Sequence, residues 1–130
     1  MPQIRLISFI TILLFSYHFS FSQEQTKKEI RKEIYDYICE ADALLNRLKF
    51  QESLQVSKKA LNLAYKNKQY DYVAMSYNTI AGCHEELMDS QKALSYYEKA
   101  LSYADKTSND TIKDWIHNNI GNIYNFDLKD

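Results

Sequence analysis

The sequence predicts an all-α fold, a solenoid of antiparallel helical hairpins with about two and a half repeats of 40 residues. Apolar residues recur at spacings of three and four, which is the pattern of amphipathic helices, and no segment alternates apolar and polar residues as a half-buried strand does. The pattern also returns after forty residues, and a fixed period in this range is typical of stacked helical hairpins.

The clearest hairpin spans residues 77–104, with a break at residues 88–90. Within this break, Asp89 or Ser90 is expected to cap the second helix. Small residues on the facing sides let two helix backbones approach closely, and large residues fill the space beside them. The facing sides consist of Tyr77, Ile80, Ala81, His84 and Leu87 in the first helix and Ala93, Leu94, Tyr97, Ala100 and Leu101 in the second.

Neighbouring segments repeat this arrangement. One long helix is predicted over residues 24–48 and its partner over residues 51–66. Gly121 occupies a small-residue position and therefore has a packing reason, whereas Gly82 is expected to mark the close approach of a neighbour or of a bound ligand. Three first-helix positions recur every forty residues: Tyr37, Tyr77 and His117; Ala41, Ala81 and Gly121; and Leu44, His84 and Tyr124.

On these residues the chain resembles the tetratricopeptide repeat family over roughly residues 34–130. The usual period of that family is about 34 residues, so a period of forty implies either a longer second helix or a longer link between hairpins. The first repeat departs from the pattern at Glu40, Ser53 and Ser57. The matching positions are Tyr77, Ile80, Ala81 and His84 in the first helix and Ala93, Tyr97 and Ala100 in the second.

Residues 1–22 have the layout of a secretory signal peptide. Arg5 precedes an apolar run over residues 6–15, and small residues at Ser20 and Ser22 give the spacing that a signal peptidase reads. The alternative is an uncleaved anchor, but the run is short for a span of about 20 apolar residues. We therefore expect an exported protein, periplasmic or secreted, whose mature domain is residues 23–130.

Composition and motifs argue against several functional classes. The net charge of −1 does not suggest nucleic acid as a partner. No phosphate loop or activated nucleophile is recognisable, so neither catalytic activity nor a cofactor is predicted. His84 and His117 replace core aromatic residues and are expected to pack there rather than bind a metal, which needs three or four convergent ligands. Cys39 and Cys83 are expected to be buried or half-buried thiols, with a disulfide as the alternative.

The resemblance implies that the first helix of each hairpin lines a concave surface that receives a peptide or protein segment. Asparagine side chains there could bond the backbone of an extended ligand, and Trp115 could anchor it or simply pack against the preceding hairpin. The expected groove residues are Asp42, Leu45, Met75, Asn78, Gly82, Glu85, Trp115, Asn118 and Asn122.

A signal peptide followed by such repeats resembles the extracytoplasmic input region of bacterial membrane signalling proteins, and a free periplasmic adaptor is the alternative. The last repeat is expected to be incomplete, because the second helix that should follow residues 126–130 is missing. An exposed apolar strip on the last helix would then favour self-association or a longer natural chain.

The signal layout predicts that the mature protein begins at Gln23. We expect N-terminal sequencing of protein recovered from the periplasm to start at this residue, because Ser20 and Ser22 supply the small side chains that the peptidase requires. Intact Met1 in the membrane fraction would contradict cleavage.

Overall fold

The computed structural model describes the backbone of residues 2–126 and the side chains of residues 9–125. Every regular element in residues 2–126 is an α-helix, so the predicted all-α hairpin fold is confirmed. The helices are α1 (Pro2–Asn46), α2 (Phe50–Lys66), α3 (Tyr70–Glu86), α4 (Ser90–Ala104) and α5 (Asp110–Phe126).

Helix α1 begins far earlier than the predicted residue 24, because neither proline nor glycine occurs between residues 3 and 81 to interrupt it. The chain divides after Lys32 into two compact units. In the first unit the large apolar side chains between Phe9 and Phe21 are exposed. Within residues 2–126, no helix combines the length and the hydropathy that a bilayer span requires.

Three turns of one kind set the period of the second unit. Leu48, Lys68 and Met88 all have positive φ angles, of 61°, 55° and 60°, and they lie twenty residues apart. In the turn at Met88, its N–H donates to the Glu85 carbonyl and the next N–H donates to the His84 carbonyl, both at 2.9 Å. This pair of backbone hydrogen bonds ends a helix and satisfies its last carbonyls.

The turns show where the additional residues of the period lie. The link between the first two hairpins, residues 67–69, is only three residues long, and so is the turn within each hairpin. Helices α2 and α3 are 17 residues each. The additional length therefore lies in the helices, and the alternative of a longer link is wrong at this point. The next link, residues 105–109, has five residues and follows the shorter helix α4.

The break predicted at residues 88–90 is present but lies one residue earlier, at residues 87–89. Helix α3 ends at Glu86, and the Oδ1 atom of Asp89 accepts a hydrogen bond of 3.2 Å from the backbone N–H of Lys92, which caps α4 as predicted. Leu87 was expected on the buried face, but it lies beyond the last helical residue and is 40% exposed.

Helix α3 is central to the second unit, since it packs against α2, α4 and α5. Ala81 and Ala100 are fully buried, as the repeat pattern predicts. On the other flank of α3, Ile80 and Cys83 cluster with Leu54 of α2. The main core is formed by Ala74, Ala81, Ala93, Tyr97, Ala100, Ala104, Ile112, Ile116 and Ile123.

The first hairpin replaces apolar core groups with hydroxyls. Ser53 lies where the next repeat has Ala93, and its buried Oγ donates a 2.7 Å hydrogen bond to the Ala41 carbonyl of α1. Ser57 lies where the next repeat has Tyr97, and its buried Oγ has no partner among the described residues. An unsatisfied buried hydroxyl costs about 1–3 kcal/mol, so this hairpin is packed less favourably than the second.

The outer face of α5 differs from the expectation. His117 was predicted to pack in a core, but it is exposed, because no described helix covers this face as α4 covers Tyr77. The packing reason given for Gly121 is also wrong, since a Cβ there would meet no atom within 4 Å. Tyr124 is 56% exposed, whereas Ile116 and Ile123 are fully buried, so the expected apolar strip is narrower than predicted.

The predicted turn into a further helix involves residues 127–130, which lie outside the described residues. Self-association through the outer face of α5 stays a prediction.

The Met88→Gly substitution should raise the free energy of unfolding by about 1 kcal/mol, because the left-handed conformation strains any residue with a Cβ atom. The Met88 side chain is 81% exposed, so few contacts are lost. Urea unfolding would measure the change, with Met88→Ala as the control that shortens the side chain but keeps Cβ. Equal stabilisation by alanine would show that the backbone conformation is not the cause.

Candidate functional site

Side chains from four helices surround a mostly polar cavity of about 250 Å³ in the second unit. We call it the polar groove. Three of its lining residues carry carboxylates, and no basic side chain lines it among the described residues. The lining residues are Asp42 and Leu45 of α1, Asn78, Thr79, Gly82, Glu85 and Glu86 of α3, Tyr97 of α4 and Asn119 of α5.

A hydrogen bond from α3 fixes the carboxylate of Asp42 at one side of the groove. The Thr79 hydroxyl donates to Asp42 Oδ1 at 2.8 Å. Asp42 as a whole residue is still exposed to solvent. Its carboxyl group is nevertheless partly desolvated by the surrounding protein, which raises the pKa of that group. The hydrogen bond from Thr79 acts in the opposite direction and lowers this pKa. Asp42 is therefore an anchored carboxylate that would gain from a cationic partner.

Glu85 is held in the same way from α4. The Tyr97 hydroxyl donates to Glu85 Oε2 at 2.8 Å, and the tyrosine ring is almost fully buried. Burial, and then the bond to Glu85, raise the pKa of the Tyr97 hydroxyl, so it remains a donor at neutral pH. One oxygen of Glu85 is thereby occupied by the protein, and its carboxylate is oriented before any ligand arrives.

Two asparagines connect α3 and α5 at the groove. The Nδ2 atom of Asn119 donates to Asn78 Oδ1 at 3.0 Å. Sequence reasoning missed Asn119, and the signal that could have found it is its spacing of forty residues from Thr79, which also lines the groove. Each amide keeps donor and acceptor atoms beyond this bond, which suits the backbone of an extended ligand.

Gly82 provides space beside Leu45. A Cβ atom at this position would lie 3.2 Å from Leu45 Cδ2 and 3.9 Å from the Tyr97 hydroxyl oxygen. Close approach of a neighbour was one of the two predicted reasons for this glycine, and Leu45 is that neighbour. The lack of a side chain here also keeps the floor of the groove open.

The structure brings together five of the residues expected from the sequence, namely Asp42, Leu45, Asn78, Gly82 and Glu85. The other four do not line the polar groove. Met75 is half-buried against the main core. Trp115 is 56% exposed, and Asn118 and Asn122 are also exposed on α5.

Both cysteines are free thiols. Cys83 is buried and donates to Ser53 Oγ at 3.2 Å, and burial raises the pKa of its thiol. Cys39 is exposed, so its predicted burial is wrong: it lies on the side of α1 away from the buried residues Ile34, Ile38 and Ala41.

His84 packs as predicted. Its ring stacks on Tyr96 with centroids 5.3 Å apart, and burial lowers the pKa of the imidazole. Among the described residues, no group of three or more His, Cys, Asp or Glu side chains could hold a metal ion.

Comparison with known proteins gives one result. The family model described as tetratricopeptide repeat matches residues 37–106. Searches among curated proteins and solved structures found no match.

The Asp42→Asn substitution should raise stability at neutral pH and leave it unchanged near pH 3. The folded state raises the pKa of Asp42, so ionisation of this group costs stability as the pH rises from the unfolded-state pKa through the folded-state pKa. Asparagine removes that cost and still accepts the Thr79 hydrogen bond. Urea unfolding at both pH values would measure the effect.

Thr79→Val is the matched control for this experiment. It removes the donor that stabilises the charged form, so its stability loss should be larger at neutral pH than near pH 3. A neutral-pH loss of stability in Asp42→Asn would contradict the assignment.

Proposed function

Because the chain belongs to the tetratricopeptide repeat family, we propose that it is an interaction module that holds an extended segment of a partner protein in the polar groove. Repeats of this family mediate protein–protein interactions. The observation that carries the proposal is the pair of carboxylates, Asp42 and Glu85, each oriented by a hydrogen bond from another helix. Preorganised groups lose little conformational entropy when a ligand binds.

The charge of the groove selects the chemistry of the partner. Asp42, Glu85 and Glu86 place three carboxylates around one cavity without a lining cation. A lysine or arginine side chain of the partner would neutralise them, and hydrogen bonds between charged groups are worth about 1.5–3 kcal/mol. Asn78 and Asn119 supply the amide atoms that would hold the backbone on either side of that residue.

The location and cellular role form part of the same proposal. The signal layout of residues 1–22 and the exposed apolar side chains between Phe9 and Phe21 support export to the periplasm or beyond. The module would then be the sensory or scaffolding part of a bacterial membrane signalling protein, or a free adaptor. A coding sequence for a transmembrane helix and a kinase-like segment after Asp130 would support the signalling role.

The outer face of α5 is a candidate for a second contact surface. His117 and Tyr124 are exposed there, and no described atom lies within 4 Å of a Cβ placed at Gly121, so another helix could approach closely. We propose that this face allows self-association.

Binding of a labelled peptide that alternates lysine with serine would test the groove. In the double variant Asp42→Asn, Glu85→Gln, both hydrogen-bond acceptors remain but both charges are lost. We expect its Kd to rise about tenfold or more, which corresponds to about 1.4 kcal/mol or more. Fluorescence anisotropy would measure it.

Glu98→Gln is the matched control, because it removes an exposed carboxylate of α4 that does not line the groove. Its affinity should equal that of the unmodified protein. The proposal fails if the lysine peptide does not bind, or if the double variant binds as well as this control.

A further inference from the structure

Five tyrosines from three helices form a continuous cluster outside the polar groove. Tyr103 of α4 lies at the centre, with its ring centroid 6.2 Å from Tyr65, 5.9 Å from Tyr70 and 5.8 Å from Tyr77. Tyr77 also stacks on Tyr96 at 6.1 Å. We call this cluster, with the space beside it, the tyrosine crevice.

The crevice contains an open cavity of about 290 Å³. Pockets for drug-sized ligands measure about 300–1,000 Å³, so this one suits one or two residues of a chain rather than a whole cofactor. Its lining combines apolar and hydrogen-bonding groups: Leu61, Asn62, Tyr65, Lys66 and Tyr77.

The rings are not part of a closed core. Tyr65 is 59% exposed, and the other four tyrosines are only half-buried. Each ring contacts at least one other, so a ligand would meet a continuous aromatic wall. Partial burial raises the pKa of Tyr77 and of Tyr103, and these hydroxyls therefore remain protonated donors at neutral pH.

Three lysines lie against the rings or the cavity of the crevice. The Nζ atom of Lys106 lies 4.2 Å from the Tyr103 ring centroid and 5.4 Å from that of Tyr70, and Lys99 Nζ lies 4.9 Å from Tyr96. Lys66 lines the cavity itself. None of the three forms an ion pair within the described residues. Asp105 precedes Lys106 in the chain, and its Oδ1 atom lies 3.6 Å from Lys113 Nζ of α5.

We infer that the tyrosine crevice is a second docking site, for an extended protein segment in which prolines alternate with acidic residues. Grooves walled by fixed aromatic rings bind proline-rich chains, because such a chain is already extended and loses little entropy on binding. The unpaired lysines favour acidic side chains beside the prolines. Tyrosine hydroxyls and the Asn62 amide can bond the free carbonyls of that chain.

The second site is independent of the first. The crevice and the polar groove share no lining residue, and their charges are opposite. The two surfaces would therefore take segments of different chemistry, from one partner or from two.

The test is binding of a labelled peptide in which prolines alternate with aspartates to the full-length protein, measured by fluorescence anisotropy. We expect saturable binding that weakens with salt, because the lysines are exposed to solvent. Tyr65→Ala and Lys106→Glu should each raise Kd at least about fivefold. Tyr65 and Lys106 are both exposed, so these substitutions should leave the fold intact. Circular dichroism would verify that the variants fold.

Matched controls separate this site from the rest of the surface. Tyr35→Ala removes a comparably exposed tyrosine of α1, and Lys58→Glu reverses an exposed charge of α2; neither lines the crevice, and neither should change Kd. The groove variant Asp42→Asn, Glu85→Gln should also bind this peptide unchanged. Loss of lysine-peptide binding alone would thus leave the inference intact.

Several results would overturn the inference. These are absence of binding, equal affinity for a peptide with lysine in place of aspartate or alanine in place of proline, and equal losses in the control variants. Binding of anionic vesicles or of single-stranded nucleic acid that the peptide does not displace would assign the crevice to another class of ligand.

Discussion

The close contact of α3 with its neighbouring helices is the constraint on which the rest of the second unit depends. Ala81 and Ala100 are fully buried where α3 meets α4, and Tyr97 fills the space beside them. Helices α2, α4 and α5 pack against α3, and two parts of its remaining surface line cavities. One part forms the floor of the polar groove around Gly82, and the other carries Tyr77 into the tyrosine crevice.

The two hairpins use the same backbone with different polar chemistry. In the second repeat, Tyr97 and Glu85 form a hydrogen-bonded pair. In the first repeat, the equivalent positions are Ser57 and Leu45, so neither partner of that pair is present. Leu45 instead lies against Gly82, and the groove becomes asymmetric. The carboxylates are thus concentrated on α3, with Asp42 as the contribution of the first repeat.

The buried hydroxyls of the first hairpin have unequal consequences. Ser53 lies in a short chain of hydrogen bonds, because it accepts from Cys83 and donates to the Ala41 carbonyl. That chain connects α1, α2 and α3 at one point. Ser57 has no comparable partner among the described residues. A polar group in a core stabilises the fold only when its bonds are satisfied, and these two serines show both cases.

The sequence by itself determined the all-α class, the period of forty residues and the family, because all three follow from the spacing of apolar and small residues along the chain. It also placed Asp42, Leu45, Asn78, Gly82 and Glu85 on one surface, since the repeat register assigns each residue a face. Only the tertiary structure decided which faces a neighbouring helix covers. Equivalent positions therefore differ: Ala81 is buried, whereas Gly121 faces open space.

The dependence of burial on neighbouring helices also explains the remaining differences between the sequence predictions and the structure. His117 was expected to be buried by analogy with other repeats, and Cys39 because a free cysteine packs as a small apolar residue. Both are exposed, because burial depends on which helices pack against a position. Asn119 enters the groove because α5 packs against α3, a contact that no local pattern encodes. The tyrosine crevice likewise brings together residues from three helices, so only the packed structure could reveal it.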